Sequence, residues 1–291
     1  MGDRTAISWT RSSWNGWIGC TEVSPGCDAC YARQLDSRHR YGGTTHWGAG
    51  VPRHRTGGDA WKRPLKWNGQ CALERASGKC ADSTWHGAPG FWPVFPSLCD
   101  PFDNEVAPEW HGDLWRLIRA TPNLTWLLLT KRIGNVQKMH PGGVYSNVWI
   151  GASVVNQEEA NRDIPKLLAV SGFARRFVSY EPALGPIDWG YISGADLSGI
   201  DQIIIGGESN QGSQKARRFD LAWARATVSF CQRRGIACFV KQLGSHPVEV
   251  PTGRRAPWEP AGTTWKRLLK HRAGADPAEW PADLMVQEFP R

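Results

Sequence analysis

The chain has 291 residues, 41% hydrophobic and 21% charged, with a formal net charge of +8 and a pI near 9.2. That length can bury a large core in a single domain, and no stretch approaches the roughly 20 apolar residues that cross a bilayer. Met1 to Trp14 lacks the apolar core of a signal peptide, so a protein of the cytoplasm with no membrane partner is expected.

In chain order, short apolar runs bounded by turn residues predict strands at Ala6–Thr10, Trp92–Leu98, Thr125–Thr130, Val148–Val154, Arg175–Tyr180, Gln202–Gly206 and Ala237–Lys241. Between them fall helical patterns. Pro108 to Ala120 places Trp110, Leu114, Leu117 and Ile118 on one face, and Asn156 to Val170 groups Ala160, Ile164, Leu167 and Leu168. Asp220 is the expected N-cap of a helix that reaches Arg234 and ends at Gly235. Strand and helix in alternation mean parallel pairing with crossovers. The expected fold is α/β, a complete or partial TIM-like barrel over residues 1–245, with a doubly wound open sheet as the alternative.

Two stretches break the rhythm. Residues 41–90 read as a long insertion after the first helix, without sustained periodicity, and 246–291 as a C-terminal extension packed on the barrel. The insertion holds Cys71 and Cys80 with His46, His54 and His86, but C-x8-C matches no standard zinc knuckle. Cys231 and Cys238 fit buried helix and strand positions.

Cys20, Cys27 and Cys30, spaced C-x6-C-x2-C around a Pro25-Gly26 turn, suit a shared metal centre that leaves one coordination position open. Other polar residues collect where the predicted strands end, which in a parallel barrel is where a site forms. Asp100 follows the second run, Lys131 and Arg132 the third, Ser153 ends the fourth, Glu181 follows the fifth, Gly206-Gly207-Glu208-Ser209 the sixth, and Lys241-Gln242 the seventh. The glycine pair lets backbone approach a ligand, and Glu208 could accept from a nucleoside cofactor; the bland alternative is a tight turn. Lys131 and Arg132 at a helix start oppose the dipole, a small cost that a bound anion would offset. From Gln211 to Ser245 seven basic residues, Arg217 among them, face the single acid Asp220, which suits nucleic acid or a merely solvated face. Seventeen tryptophans can stack on bases or fill the core, and core is the larger expectation.

The segments Ile7-Ser8-Trp9-Thr10, Trp14-Asn15, Gly19-Cys20-Thr21, Val23 to Cys27 and Cys30-Tyr31-Ala32 resemble the opening of a family of largely uncharacterised phage and prophage proteins related to radical S-adenosylmethionine enzymes. Leu129 to Arg132, Val148 to Gly151, Phe177 to Ser179, Glu181-Pro182, Leu184 to Pro186, Gly206 to Ser209 and Phe239 to Gln242 are similar to its later motifs, so the likeness runs in order from Ile7 to about Gly244. The resemblance implies a 4Fe-4S cluster on Cys20, Cys27 and Cys30, with S-adenosylmethionine at the open iron, cleaved to a 5′-deoxyadenosyl radical. Tyr31, Ser153, Glu181, Gly206, Gly207, Glu208 and Ser209 are then the candidate cofactor contacts, and Asp100, Lys131, Arg132, Arg217, Lys241 and Gln242 the candidate substrate contacts.

Radical enzymes of this type commonly use C-x3-C-x2-C and a glycine-rich turn after the second strand; here the loop is longer and the Gly-Gly-Glu follows the sixth run. The expected substrate is nucleic acid or a nucleotide, with an external electron donor and a phage- or prophage-encoded protein acting in the host cell. Tyr31, Cys99 and Cys238 could donate a hydrogen atom chemically, but structural roles are expected of all three. Two further readings stay open: a nucleic-acid-binding or regulatory protein with a structural or redox-sensing cluster, and a zinc protein in which His or water joins the three cysteines.

Overall fold

A computed structural model of the chain describes residues 3–249 and 265–290. Chain order runs β1 (Ser12–Ser13), β2 (Trp17–Ile18), α1 (Tyr31–His39), β3 (His54–Arg55), α2 (Gly58–Ser77), β4 (Pro93–Phe95), α3 (Pro108–Ala120), β5 (Thr125–Thr130) and α4 (Ile133–Met139). It continues with β6 (Tyr145–Val154), α5 (Gln157–Ala169), β7 (Phe173–Tyr180), β8 (Gln202–Gly206), β9 (Phe219–Asp220), α6 (Leu221–Arg234), β10 (Ala237–Gln242), β11 (Pro247–Glu249) and β12 (Trp265–Lys266). Seven strands form one sheet in the order β1-β4-β5-β6-β7-β8-β10. The registers β1–β4, β4–β5, β5–β6 and β8–β10 are parallel. The fold is therefore mixed α/β on a seven-stranded parallel sheet. No helix among the described residues is long and apolar enough to cross a membrane.

The first strand differs from expectation. Ala6–Thr10 is not extended; the strand is Ser12–Ser13, and the Thr10 hydroxyl instead donates to the carbonyls of Ser12 and Pro93, at 3.2 and 2.9 Å, fixing the turn that enters it. The insertion also differs, since it contains the 20-residue helix α2. Pro64 removes one helical N–H, and the Ala60 carbonyl four residues before it accepts from the Trp14 indole at 2.8 Å. Pro64, Trp67, Cys71 and Glu74 form its buried face. At its C-terminal end Gly78 takes the left-handed conformation, with φ +64°.

The chain divides into two compact units, one of Met1–Ser153 with Pro165–Phe177, the other of Val154–Ile164 with Val178–Arg291. In the first, Trp14, Trp17, Trp67 and Trp126 are among the largest fully buried side chains, so these indoles serve the core. Buried ion pairs tie distant segments there. Arg11 meets Glu74 through two 2.7 Å bonds, which hold the Glu74 carboxyl down at about 2, and Arg53 meets Asp103 at 2.8 Å.

In the second unit Ile203, Ile205, Cys238 and Val240 are fully buried, and α6 packs with Leu221, Ala224 and Cys231 turned inward. Asp220 caps it by accepting from the Ala222 amide at 3.0 Å, and Gly235 closes it with φ +66°. The described part of the C-terminal segment belongs to this unit. It pairs with the sheet's last strand: the Val240 amide donates to Val286, the Glu288 amide to Cys238, both at 2.8 Å, and Phe239 bridges Gln287 antiparallel.

Candidate functional site

The cysteine loop emerges where β1 and β4 end. Beyond β1 and the short β2, Gly19 still pairs in parallel with Cys99, its amide bonded to Leu98 at 3.2 Å. Gly19 has φ +120°, and a β-carbon on it would lie 2.3 Å from the His46 carbonyl oxygen, so only glycine passes here. The chain then reaches Cys20 beside Asp100. After it, Ser24 shapes the turn, its hydroxyl accepting from the Gly26 amide at 3.0 Å and its carbonyl from Cys27 at 2.8 Å. Cys30 is the N-cap of α1 without making a side-chain cap bond, and its amide bonds to the Cys27 carbonyl at 3.2 Å.

All three cysteines are free thiols and half-buried. Burial, followed by the Asp100 carboxylate, pushes the Cys20 thiol up to about 12 against the pull of Arg132. Burial likewise raises Cys30, and it raises Cys99 well above the ordinary value, with Asp100 and Cys20 adding to the effect there. No three His, Cys, Asp or Glu side chains among the described residues gather as ligands of one metal ion. Of the insertion's cysteines and histidines, only His46 and His54 lie side by side, with ring centroids 5.1 Å apart, among the described contacts. Cys71 faces the carbonyls of Gly90 and Asn123, Cys80 that of Asp82, and His46 pairs with the buried Asp36 at 2.9 Å.

The thiolates of a cubane bind different irons and stand farther apart than the ligands of a single zinc. Three free, half-buried thiols in one loop supply the soft donors that either an iron–sulfur cluster or zinc takes.

Around Cys20 the strand-end residues assemble as a polar network. Asp100 accepts from the Thr130 hydroxyl at 2.7 Å, the Phe102 amide at 2.9 Å and the Lys131 amide at 3.2 Å. Arg132, at the start of α4, bonds within the chain. Its guanidinium turns back to Asp100 at 3.0 Å, Cys20 Sγ at 3.4 Å and the Thr21 carbonyl at 2.7 Å. Lys131 Nζ donates to Ser153 Oγ at 2.5 Å, and the Tyr31 hydroxyl to the Ser97 carbonyl at 2.6 Å. Arg53 was not singled out by its sequence context, yet it donates to the Thr21 hydroxyl at 2.7 Å and binds Asp103. Its partner is 50 residues away, which no local pattern reveals.

The remaining candidates lie in the second unit. Glu208 accepts from Arg217 through its amide, Nε and Nη2, at 2.9, 3.0 and 2.6 Å. Glu181 is ion-paired with Lys241. Gln242 Nε2 donates to the Gly207 carbonyl at 2.8 Å and to Ser209 Oγ at 2.9 Å. Neither Gly206 nor Gly207 has positive φ. Gly207 is needed for close approach, because a β-carbon there would lie 2.6 Å from the Leu243 carbonyl oxygen; the approaching group is the chain's own backbone.

The basic stretch is largely neutralised within the unit. Arg218 binds Asp220, Arg225 binds Glu249 and Asp283, and Arg234 lies 3.8 Å from Asp196.

No curated protein and no solved structure matches the chain. A family does match, from residue 4 to residue 276, and the chain belongs to it: the family described as protein of unknown function (DUF5131).

Proposed function

We propose that the chain is an iron–sulfur protein of the radical S-adenosylmethionine kind, in which Cys20, Cys27 and Cys30 hold a 4Fe-4S cluster and a nucleic acid or nucleotide is modified. The observation that carries the reading is the loop itself, with three free, half-buried thiols beyond the ends of parallel strands. When bound, the cluster would supply the electron that opens the sulfonium of S-adenosylmethionine.

The chain's own residues have narrower tasks. Ser24 and Pro25-Gly26 bend the loop, Cys30 starts α1, and the Arg132–Asp100 pair holds the first cysteine's sulfur and the carbonyl of the next residue, Thr21. Support for a polyanionic substrate comes from the net charge of +8 and from the outer face of α2, where Lys62 and Lys66 are exposed. An external reductant inside the host cell is part of the proposal.

The test is electron paramagnetic resonance of anaerobically reconstituted, dithionite-reduced protein, with and without S-adenosylmethionine. A reduced-cluster signal that changes on adding the cofactor is expected. Cys20→Ala, Cys27→Ala or Cys30→Ala should each abolish it. An iron–sulfur signal indifferent to the cofactor would replace catalysis by a structural or sensing role, and stoichiometric zinc without cluster would overturn the proposal.

A further inference from the structure

Arg132 binds within the chain on three sides. One fork of nitrogens serves three acceptors of different kinds: the Asp100 carboxylate at 3.0 Å, the Thr21 carbonyl at 2.7 Å and the Cys20 sulfur at 3.4 Å. Its own amide is fixed by the Thr130 hydroxyl at 2.8 Å, and the same hydroxyl donates to Asp100 at 2.7 Å. The residue on the far side of the sulfur's peptide is clamped as well. Thr21 gives its carbonyl to Arg132 and receives Arg53 on its hydroxyl at 2.7 Å, and Arg53 is itself locked to Asp103 at 2.8 Å. Both side chains of the Arg132–Asp100 pair are over nine-tenths buried, so the contacts are made out of bulk water, where charge-assisted hydrogen bonds are strongest. A lysine could neutralise Asp100 but has no planar fork to reach all three acceptors.

We propose that Arg132 is the positioning residue of the first cysteine: anchored by Asp100, it fixes the Cys20 sulfur and the Thr21–Glu22 peptide that follows before any metal arrives, and raises the reduction potential of the cluster that Cys20 then helps to hold. The second half rests on the cluster reading, and the first half does not. A positive donor facing a ligand sulfur stabilises the more negative, reduced cluster, so its loss should move the potential downward. Asp100 tempers that charge, so Asp100→Asn should move it upward.

Two measurements on the full chain test this. In metal-free protein, hydrogen exchange of the residue 20–30 amides should quicken by about ten- to a hundredfold in Arg132→Gln, the loss of charge-assisted bonds, while α6 exchanges unchanged. In anaerobically reconstituted protein, a redox titration followed by electron paramagnetic resonance should give a more negative midpoint for Arg132→Gln, with Arg132→Lys between it and wild type. If Arg132→Gln fails to fold, the Arg132→Gln/Asp100→Asn double variant removes both charges together and carries the exchange test.

Unchanged exchange in the loop overturns the clamp whatever the metal content. Equal midpoints in wild type and Arg132→Gln overturn the tuning. A wild-type chain that takes up neither iron nor sulfide overturns the cluster reading and the tuning with it, and the exchange result still decides the clamp.

Discussion

The loop of Cys20 and the turn of Glu208 are built from the same materials. Each follows a β-strand, and each sets an arginine against a buried carboxylate. They close differently. At Glu208 the carboxylate accepts three times from Arg217, and the neighbouring glycines make room for the chain's own backbone. At Cys20 the guanidinium passes beyond its carboxylate to a carbonyl and a sulfur on the cysteine loop. Position at a strand end thus identifies polar clusters, but only the hydrogen-bond partners separate a carboxylate wholly taken up by one arginine from an arginine that also reaches a cysteine sulfur.

The sharpest way to break this comparison is to strip the carboxylate from the cysteine loop. Asp100→Ala leaves Arg132 buried without its counter-ion and frees three other donors, so a loss of about 3–5 kcal/mol in denaturant unfolding is expected. A loss below about 1 kcal/mol would mean that Arg132 finds water and that the network is not rigid.

Arg11 and Glu74 provide a second buried pair away from both sites. Hydrogen bonding to Arg11 holds Glu74 at about 2 against an ordinary value of 4.5, so its stabilisation is complete above pH 4.5 and is lost as pH falls toward 2. The stability gap between wild type and Glu74→Gln should therefore narrow steadily from pH 5 to pH 2. A constant gap would show that the charge is not what holds α2 in place.

Glu208→Gln sharpens the contrast from the other side. Arg217 is one-third exposed at its side chain and can regain water, so a smaller cost of about 1–2 kcal/mol is expected, with the cluster signal and its response to S-adenosylmethionine intact. Loss of the cofactor response at unchanged stability would turn Glu208 from brace into ligand. The smallest effect belongs to Arg218→Gln, whose half-exposed guanidinium pairs with Asp220, about 0–0.5 kcal/mol in thermal or denaturant unfolding. A larger change would show that Arg218 also orients the Asp220 cap.

Legibility followed the range of the interaction. The span of α3 and the cap and stop of α6 could be read because Pro108, Asp220 and Gly235 act within a turn of their own positions. Gln202–Gly206 was readable as a strand because its apolar run is bounded by turn residues and both its faces are buried. The helix α2 was missed among Gly58, Pro64 and Gly69, all poor helix formers. Yet its buried Pro64, Trp67, Cys71 and Glu74 recur at spacings of three, four and three, a helical signal that the unfavourable composition masked. Strand β1 was displaced because Trp9 and its neighbours look extended, whereas Thr10 satisfies two carbonyls in a turn. At the candidate site, the three cysteines stood out by spacing alone. The clamp did not, since Arg132 reaches back 112 residues to Cys20 and Arg53 meets Asp103 across 50.

The last described residues, laid along β10, have a consequence for how the protein behaves in a crowded solution. The sheet's final strand would otherwise offer a row of bare peptide groups, and Val286 and Glu288 occupy those groups from within the same chain. The protein carries its own edge guard. Trimming the chain after Leu284 would uncover a ladder ready to pair with a neighbouring molecule, so a chain cut there should lose monodispersity.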